Sequence, residues 1–129
     1  MTRRTISSSA SAAIGPYSHA VLAEPFLYLS GQTPVDPSTG ELVSGDIAAQ
    51  TRQCFANLGS VLAAAGLGFD DVIKCNVYLR SMDDFAAMNA AYAEHFTEPY
   101  PARTTVAVAD LPLHAEVEIE MVARVRAVG

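Results

Sequence analysis

The segment Glu116-Val-Glu118-Ile-Glu120-Met121 alternates residue by residue, with carboxylates on one side and Val117, Ile119 and Met121 on the other. A strand of this kind belongs to a sheet with one apolar and one polar face. Two stretches of the chain carry helical periodicity, and two helices can cover one face of a sheet, not both. The expected element order is strand, strand, strand, helix, strand, helix, strand, strand. The expected fold is therefore α+β, a mixed β-sheet with two helices packed on one face. A second, polar face is left open, and a subunit interface would cover it.

Local signals place the elements. Ile14-Gly-Pro-Tyr17-Ser-His19-Ala20 opens with a turn signal and runs into a strand, and Phe26-Leu-Tyr-Leu-Ser30-Gly31 reads as the next, with Glu24-Pro25 turning between them. Asp36-Pro-Ser-Thr-Gly40 is a polar turn in which Pro presets φ and Gly supplies positive φ. Asp46 is placed to cap a helix that reaches Ala65 and stops at Gly66 and Gly68. Its apolar face is Ile47, Thr51, Cys54, Leu58, Val61, Leu62 and Ala65. From Asp71 to Arg80 the alternation sets Ile73, Cys75, Val77 and Leu79 against Lys74, Asn76, Tyr78 and Arg80. Ser81-Met-Asp-Asp84 has capping-box spacing before a helix striped by Phe85, Met88, Asn89, Tyr92 and Phe96. Pro99 and Pro101 forbid its continuation. On the strand over 103–109, Val106 and Val108 are expected under the helices, with Arg103, Thr105 and Ala107 on the other face.

Bulk properties exclude several classes. With 129 residues and no composition break, the chain reads as one domain, 1–129. Half of the residues are hydrophobic and 17% are charged, which argues against disorder. The net charge is −6, and a single lysine, Lys74, stands beside seven arginines, so nucleic acid is not an expected partner. No apolar run approaches the roughly 20 residues that span a bilayer, so no membrane partner is expected. The N-terminal Arg/Ser/Ala run lacks the apolar core of a secretory signal, and it resembles an organellar transit sequence only mildly. Cys54 and Cys75 fall inside regular elements and read as buried free thiols in a reducing compartment, so the expected location is cytoplasmic. Ligand spacing for a metal is missing, as is a phosphate-cradling loop; no metal and no cofactor are expected.

Arg103 is the residue with the most chemistry. It stands in Tyr100-Pro-Ala-Arg103-Thr-Thr105-Val, at the mouth of an otherwise uncharged strand. A guanidinium keeps its charge, so burying it requires an anion. A carboxylate of the protein makes Arg103 structural, and a ligand carboxylate makes it a site. The pattern leaves both open.

Taken together, six stretches resemble the RidA family, also called the YjgF or reactive-intermediate imine deaminase family. They are Ala13-Ile-Gly-Pro-Tyr17-Ser, Leu29-Ser30-Gly31 through Gly40, Gln53 through Leu67, Asp84 through Tyr92, Tyr100-Pro-Ala-Arg103-Thr, and Glu116 through Glu120. The resemblance runs nearly end to end. It implies a chorismate-mutase-like homotrimer, sheets inside and helices outside, with ligand pockets between subunits. It also implies hydrolysis of enamine/imine acids such as 2-aminoacrylate to 2-oxo acids and ammonia, which limits damage to pyridoxal-phosphate enzymes.

The resemblance assigns roles residue by residue. Arg103 matches the arginine that clamps the substrate carboxylate, and Glu118 the acid that handles the attacking water or relays a proton. The structural alternative for Glu118, and for the flanking Glu116 and Glu120, is an ion pair with an arginine. Tyr17, contributed across the interface, and Ser30 match pocket residues; otherwise they are a packed loop aromatic and a hydroxyl bonding backbone. Gly31 either opens the backbone to a ligand or marks a bulge. Asn89 either bonds into the pocket or ties down neighbouring backbone. Many members carry a thiol two residues after the arginine; here Thr105 stands there, which excludes a thiol nucleophile at that position and puts substrate range in question. Two other functions stay open: a non-catalytic binding protein for 2-oxo acids or related carboxylates, and a ribonuclease or translation inhibitor.

Overall fold

The computed structural model describes residues 3–9 and 15–126. Ala13 and Ile14 of the first resembling stretch lie outside the described residues. Strands β1 (Arg4–Ile6), β2 (Ala20–Ala23), β3 (Phe26–Gln32), β6 (Val72–Leu79), β7 (Ala102–Ala107) and β8 (Val117–Arg124) form one sheet in the order β1-β2-β3-β8-β6-β7. All pairings are antiparallel except β6 with β7. A separate hairpin, β4 (Val35–Asp36) with β5 (Glu41–Leu42), interrupts the chain before the first helix. The expected Asp36–Gly40 turn closes it, with Gly40 at φ 76° and Asp36 Oδ1 accepting from the Ser38 amide at 2.8 Å.

Helices α1 (Ile47–Ala64) and α2 (Phe85–Ala93) both pack on one face of the sheet, as the element count required. Helix α1 starts where the Asp46 carboxylate accepts the Ala49 amide at 2.9 Å, a cap worth roughly 1 kcal/mol. It ends with Gly66 at φ 76°, where the amides of Gly66 and Leu67 return to Ala63 and Leu62. The second helix begins with a 3-10 turn, Met82–Asp84, in which Ser81 Oγ accepts the Asp83 amide.

The core joins Leu27, Leu29, Cys75, Val77, Leu79, Ile119 and Met121 of the sheet to Cys54, Phe55, Leu58 and Leu62 of α1 and to Met88 and Tyr92 of α2. Each such large side chain contributes about 1.5–3 kcal/mol by leaving water. Phe55 falls outside the sequence-derived apolar stripe yet is completely buried. It meets Phe69, Tyr92 and Phe96 edge-on and stacks on the His95 ring at 4.1 Å. The stripe is wider than expected because α1 touches both the sheet and α2.

Two strand faces differ from expectation. A register shift between Val72 and Lys74 buries Val72 and leaves Ile73 exposed, since one extra residue flips the alternation. The β7 assignment is inverted as well. Parallel pairing sets Arg103 beside Cys75 and Thr105 beside Val77, both residues of the helix-covered face, so Arg103 and Thr105 lie under α2 while Val106 is 41% exposed. The open face carries Tyr28, Asn76, Tyr78, Glu118, Glu120 and Val106. Both cysteines are buried and free. Among the described residues no helix is long and apolar enough to cross a membrane.

Candidate active site

The sequence-derived site residues fall into two groups on opposite faces of the sheet. The first lies on the open face, where β3 leaves its register: Leu29 pairs Met121 but Gln32 pairs Ile119, so Ser30 and Gly31 together oppose Glu120. This bulge aims the backbone into an open cleft of about 360 Å³ lined by Tyr17, Ser30, Gly31, Gln32, Thr33, Pro112, Glu118 and Glu120. Ser30 has a defined structural job there. Its hydroxyl donates to the Ser18 carbonyl at 2.7 Å and its amide to the His19 carbonyl at 2.9 Å, leaving the oxygen lone pairs toward the cleft. Those two bonds fasten the segment that carries Tyr17.

Gly31 is both a bulge residue and a close neighbour of the acid. A Cβ added to it would overlap Glu118 Oε1 and stand 3.0 Å from its carboxyl carbon. Glu118 is half-buried, and burial first, then the charge of Glu120, push its carboxyl above the usual carboxylate range. Its neighbours in the carboxylate row have ordinary polar partners. Glu116 lies just before β8 and accepts from Gln50 of α1 at 3.1 Å; Glu120 Oε1 accepts from Asn76 Nδ2 at 3.0 Å and from the Tyr78 hydroxyl at 2.6 Å. Among the described residues none of the three carboxylates pairs with an arginine of the same chain.

The second group sits at the β7 edge beneath α2. The Arg103 guanidinium lies 4.7 Å from the Tyr92 ring centre and 5.7 Å from that of Phe85, residues one helical stripe apart. Both rings belong to α2, the helix that covers this face of β7. Among the described residues no carboxylate stands within ion-pair distance of it. Asn89 lies between Phe85 and Tyr92 on the same helix face. Asn89 Oδ1 and Thr105 Oγ1 are buried with no hydrogen-bond partner among the described residues. Such orphaned atoms cost roughly 1–3 kcal/mol each and mark a place where something is left to be bound or rearranged. Burial pushes the neighbouring Cys75 thiol up to about 11, which makes it a packed group beside the Tyr92 hydroxyl rather than a nucleophile.

Within one chain the structure thus joins Tyr17, Ser30, Gly31 and Glu118, and separately joins Arg103, Thr105 and Asn89. It does not bring Arg103 to Glu118. They are on opposite faces, with β6 between β7 and β8. Sequence reasoning missed Gln32, Thr33, Pro112 and Glu120 as cleft walls. It also missed Asn57, a buried amide on α1 whose Nδ2 donates to the carbonyls of Thr33 and Val35 and so fixes one of those walls. The available signal was an Asn inside an apolar helical stripe. His19, His95 and His114 each have a local partner, the Ser8 amide, the Ala91 carbonyl and Asp110, and none lines the cleft.

The sequence model described as Endoribonuclease L-PSP matches residues 7–125. A RutC family protein of Pyrococcus horikoshii is 54% identical over 110 residues, covering 85% of this chain and 87% of its own. The human protein named 2-iminobutanoate/2-iminopropanoate deaminase is 45% identical over 124 residues, covering 95% and 90%. The crystal structure of the YjgF gene product of E. coli superposes with a TM-score of 0.89 at 42% identity, covering 95% of this chain and 99% of that one. The match spans nearly the whole chain and extends from sequence to fold, and the chain belongs to the YjgF/RidA family.

Proposed function

We propose that the protein hydrolyses reactive enamine/imine acids of the 2-aminoacrylate type to 2-oxo acids and ammonia. The reaction takes place in clefts between the subunits of a chorismate-mutase-like homotrimer. The observation that carries this reading is the complementarity of two unfinished half-sites. One offers a guanidinium fork and the other a half-buried carboxyl, neither with an ion-pair partner among the described residues, and they face opposite ways in one chain. Closed cyclic assembly brings such surfaces of neighbouring copies together. The exposed Tyr28 and Val106 of the open face are apolar area for that contact. The deaminase names of relatives at 44–45% identity support the chemistry.

Arg103 takes the substrate carboxylate in two parallel hydrogen bonds, and the Tyr92 and Phe85 rings hold the fork in plane. An enamine acid first tautomerises, its N–H proton moving to the β-carbon, and the resulting imine carbon is electrophilic. Glu118 of the adjoining subunit accepts a proton from water as the oxygen attacks that carbon; the C=N π pair moves to nitrogen, which is protonated in turn. Tyr17, in the same cleft as Glu118, supplies a hydroxyl for that nitrogen. Glu118 hands its proton to that nitrogen to give the carbinolamine, then takes the hydroxyl proton and passes it to the amine as C=O re-forms, the C–N bond breaks and ammonia leaves. Water and imine acid are consumed, 2-oxo acid and ammonia appear, and Glu118 regains its starting state. No thiol, metal or organic cofactor enters, so Thr105 in place of a thiol leaves the reaction type intact. Acting in the cytoplasm, such an enzyme limits the damage these imines do to pyridoxal-phosphate enzymes.

The test is ammonia release from freshly generated imines of several amino acids, with sedimentation equilibrium on the same preparation. Turnover by a particle of about three subunits is expected. Tight binding of 2-oxo acids with no ammonia released would leave a carboxylate-binding protein instead, and a folded monomer would remove the shared cleft. Gly31→Ala gives a second check. Its methyl must displace the Glu118 carboxylate, so turnover is expected to fall ~10²-fold, as for a misplacement of about 1 Å. Thermal melts should change little, because the overlapping atom is the far end of a flexible side chain that can swing aside.

A further inference from the structure

The cleft holds two carboxyls two residues apart on β8, and they are treated very differently. Glu120 is fixed: Asn76 Nδ2 and the Tyr78 hydroxyl, both from β6, converge on its Oε1 at 3.0 and 2.6 Å. Glu118 sits directly across the ladder from Tyr78, yet takes no hydrogen bond from it, because the tyrosine reaches diagonally to the neighbouring acid. Both acids line the same cleft. Two donors on one oxygen hold the Glu120 carboxyl in a constant position. A fixed charge two residues away along a strand makes it harder for Glu118 to ionise, and like-charged carboxyls sharing a site are driven apart in proton affinity.

We propose that Glu120, held by Asn76 and Tyr78, is a positioning residue whose charge makes Glu118 the proton-exchanging member of the pair. This deepens the function proposed above and rests on it. Within its own chain the other groups around Glu118 do not supply the same effect, and the Arg103 guanidinium of the adjoining subunit, which the proposed function brings to this cleft, acts in the opposite sense. Ser30, Gly31 and Gln32 of β3 and Tyr17 of the preceding loop carry no charge, and Glu116 lies beyond the strand end on Gln50. On the loop that contributes Pro112, Asp110 is engaged by Arg80 and His114. Direction agrees with geometry: burial acts first to raise Glu118, and among the described residues Glu120 is the charged group that adds to it. Tyr78 is itself raised to about 12, first by its bond to Glu120, so it remains a donor across the working range. In the hydrolysis, Glu118 takes a proton from water and returns it, whereas Glu120 stays fixed by its two donors.

The experiment reads the proton on Glu118 directly, by carboxyl-carbon NMR titration of the intact protein, alongside the pH profile of kcat/KM. Glu120→Gln keeps the shape and both accepted hydrogen bonds while removing the charge. It is expected to lower the Glu118 midpoint and to carry the corresponding limb of the rate profile to lower pH. Tyr78→Phe keeps the charge and releases the carboxylate, so its midpoint should stay closer to wild type than that of Glu120→Gln. An unchanged Glu118 midpoint in Glu120→Gln overturns the proposal even if turnover falls, because that fall would then be structural. Equal midpoints in Glu120→Gln and Tyr78→Phe overturn it too, since charge would not be the cause. A wild-type protein that releases no ammonia refutes the deaminase reading, and the NMR titration still decides the relation between the two acids.

Discussion

Arg103→Ala is expected to lose imine hydrolysis by about 10²–10⁴-fold while the protein stays folded and assembled. Two hydrogen bonds to a charged group are worth about 1.5–3 kcal/mol each, and their loss also frees the substrate to tumble in the cleft. The guanidinium has ring faces but no carboxylate at ion-pair distance among the described residues, so its removal strands no buried anion among them. The cost to stability should be the cation–π contact and some packing, about 0.5–2 kcal/mol. Had the arginine been paired inside the sheet, truncation would have left an unpaired buried carboxylate at roughly 3–5 kcal/mol. Arg103→Lys sharpens the point, since lysine keeps the charge but has no planar fork. Wild-type turnover in a folded Arg103→Lys variant would defeat the clamp, and a melting temperature that collapses in Arg103→Ala would return Arg103 to a structural role. Rates and melts on the same preparations decide.

Glu118→Gln should separate activity from stability in opposite directions. Removing the acid–base group is expected to reduce kcat by about 10²–10⁴-fold, with little change in the affinity for a 2-oxo acid product held by Arg103. Stability should move the other way. The folded protein holds the Glu118 proton more tightly than an unfolded chain does, because burial and Glu120 disfavour its charged form. That contribution is fully present below the ordinary glutamate range and is lost as pH rises through the raised folded value. The amide has no charge to bury, so the variant should melt above wild type at neutral pH, with the gap closing as pH falls toward 4. A variant that melts lower at neutral pH would mean that Glu118 is an ion-paired structural residue in the assembled protein. Retained turnover would leave the cleft a binding site only.

The pattern that opened the reading, alternating acid and apolar residues from Glu116 to Met121, foresaw a two-faced sheet, and the structure has one. Asp46, Gly66 and the Asp36–Gly40 turn did what their chemistry required, since capping and turn formation use groups within a few residues of one another. The composition of the candidate site was also legible in part, in that Tyr17, Ser30, Gly31 and Glu118 line one cleft. Its division was not. Nothing in the run from Ala102 to Ala107 tells which residues face the helices, because a short uncharged strand carries no decisive alternation and a slip of one residue exchanges its faces.

Local chemistry therefore determined, from sequence alone, the elements, their caps, the one-sided helix layer and the residue types able to clamp a carboxylate and move a proton. The tertiary structure decided three things. It turned Arg103 beneath α2, bulged β3 so that Gly31 admits Glu118, and aimed Tyr78 past Glu118 to Glu120. Each of these depends on strand register, and register is set by packing between segments far apart in the chain: β7 against β6, β3 against β8, and β6 against β8. Such pairings are selected by the burial of whole faces at once, a quantity that no single segment encodes.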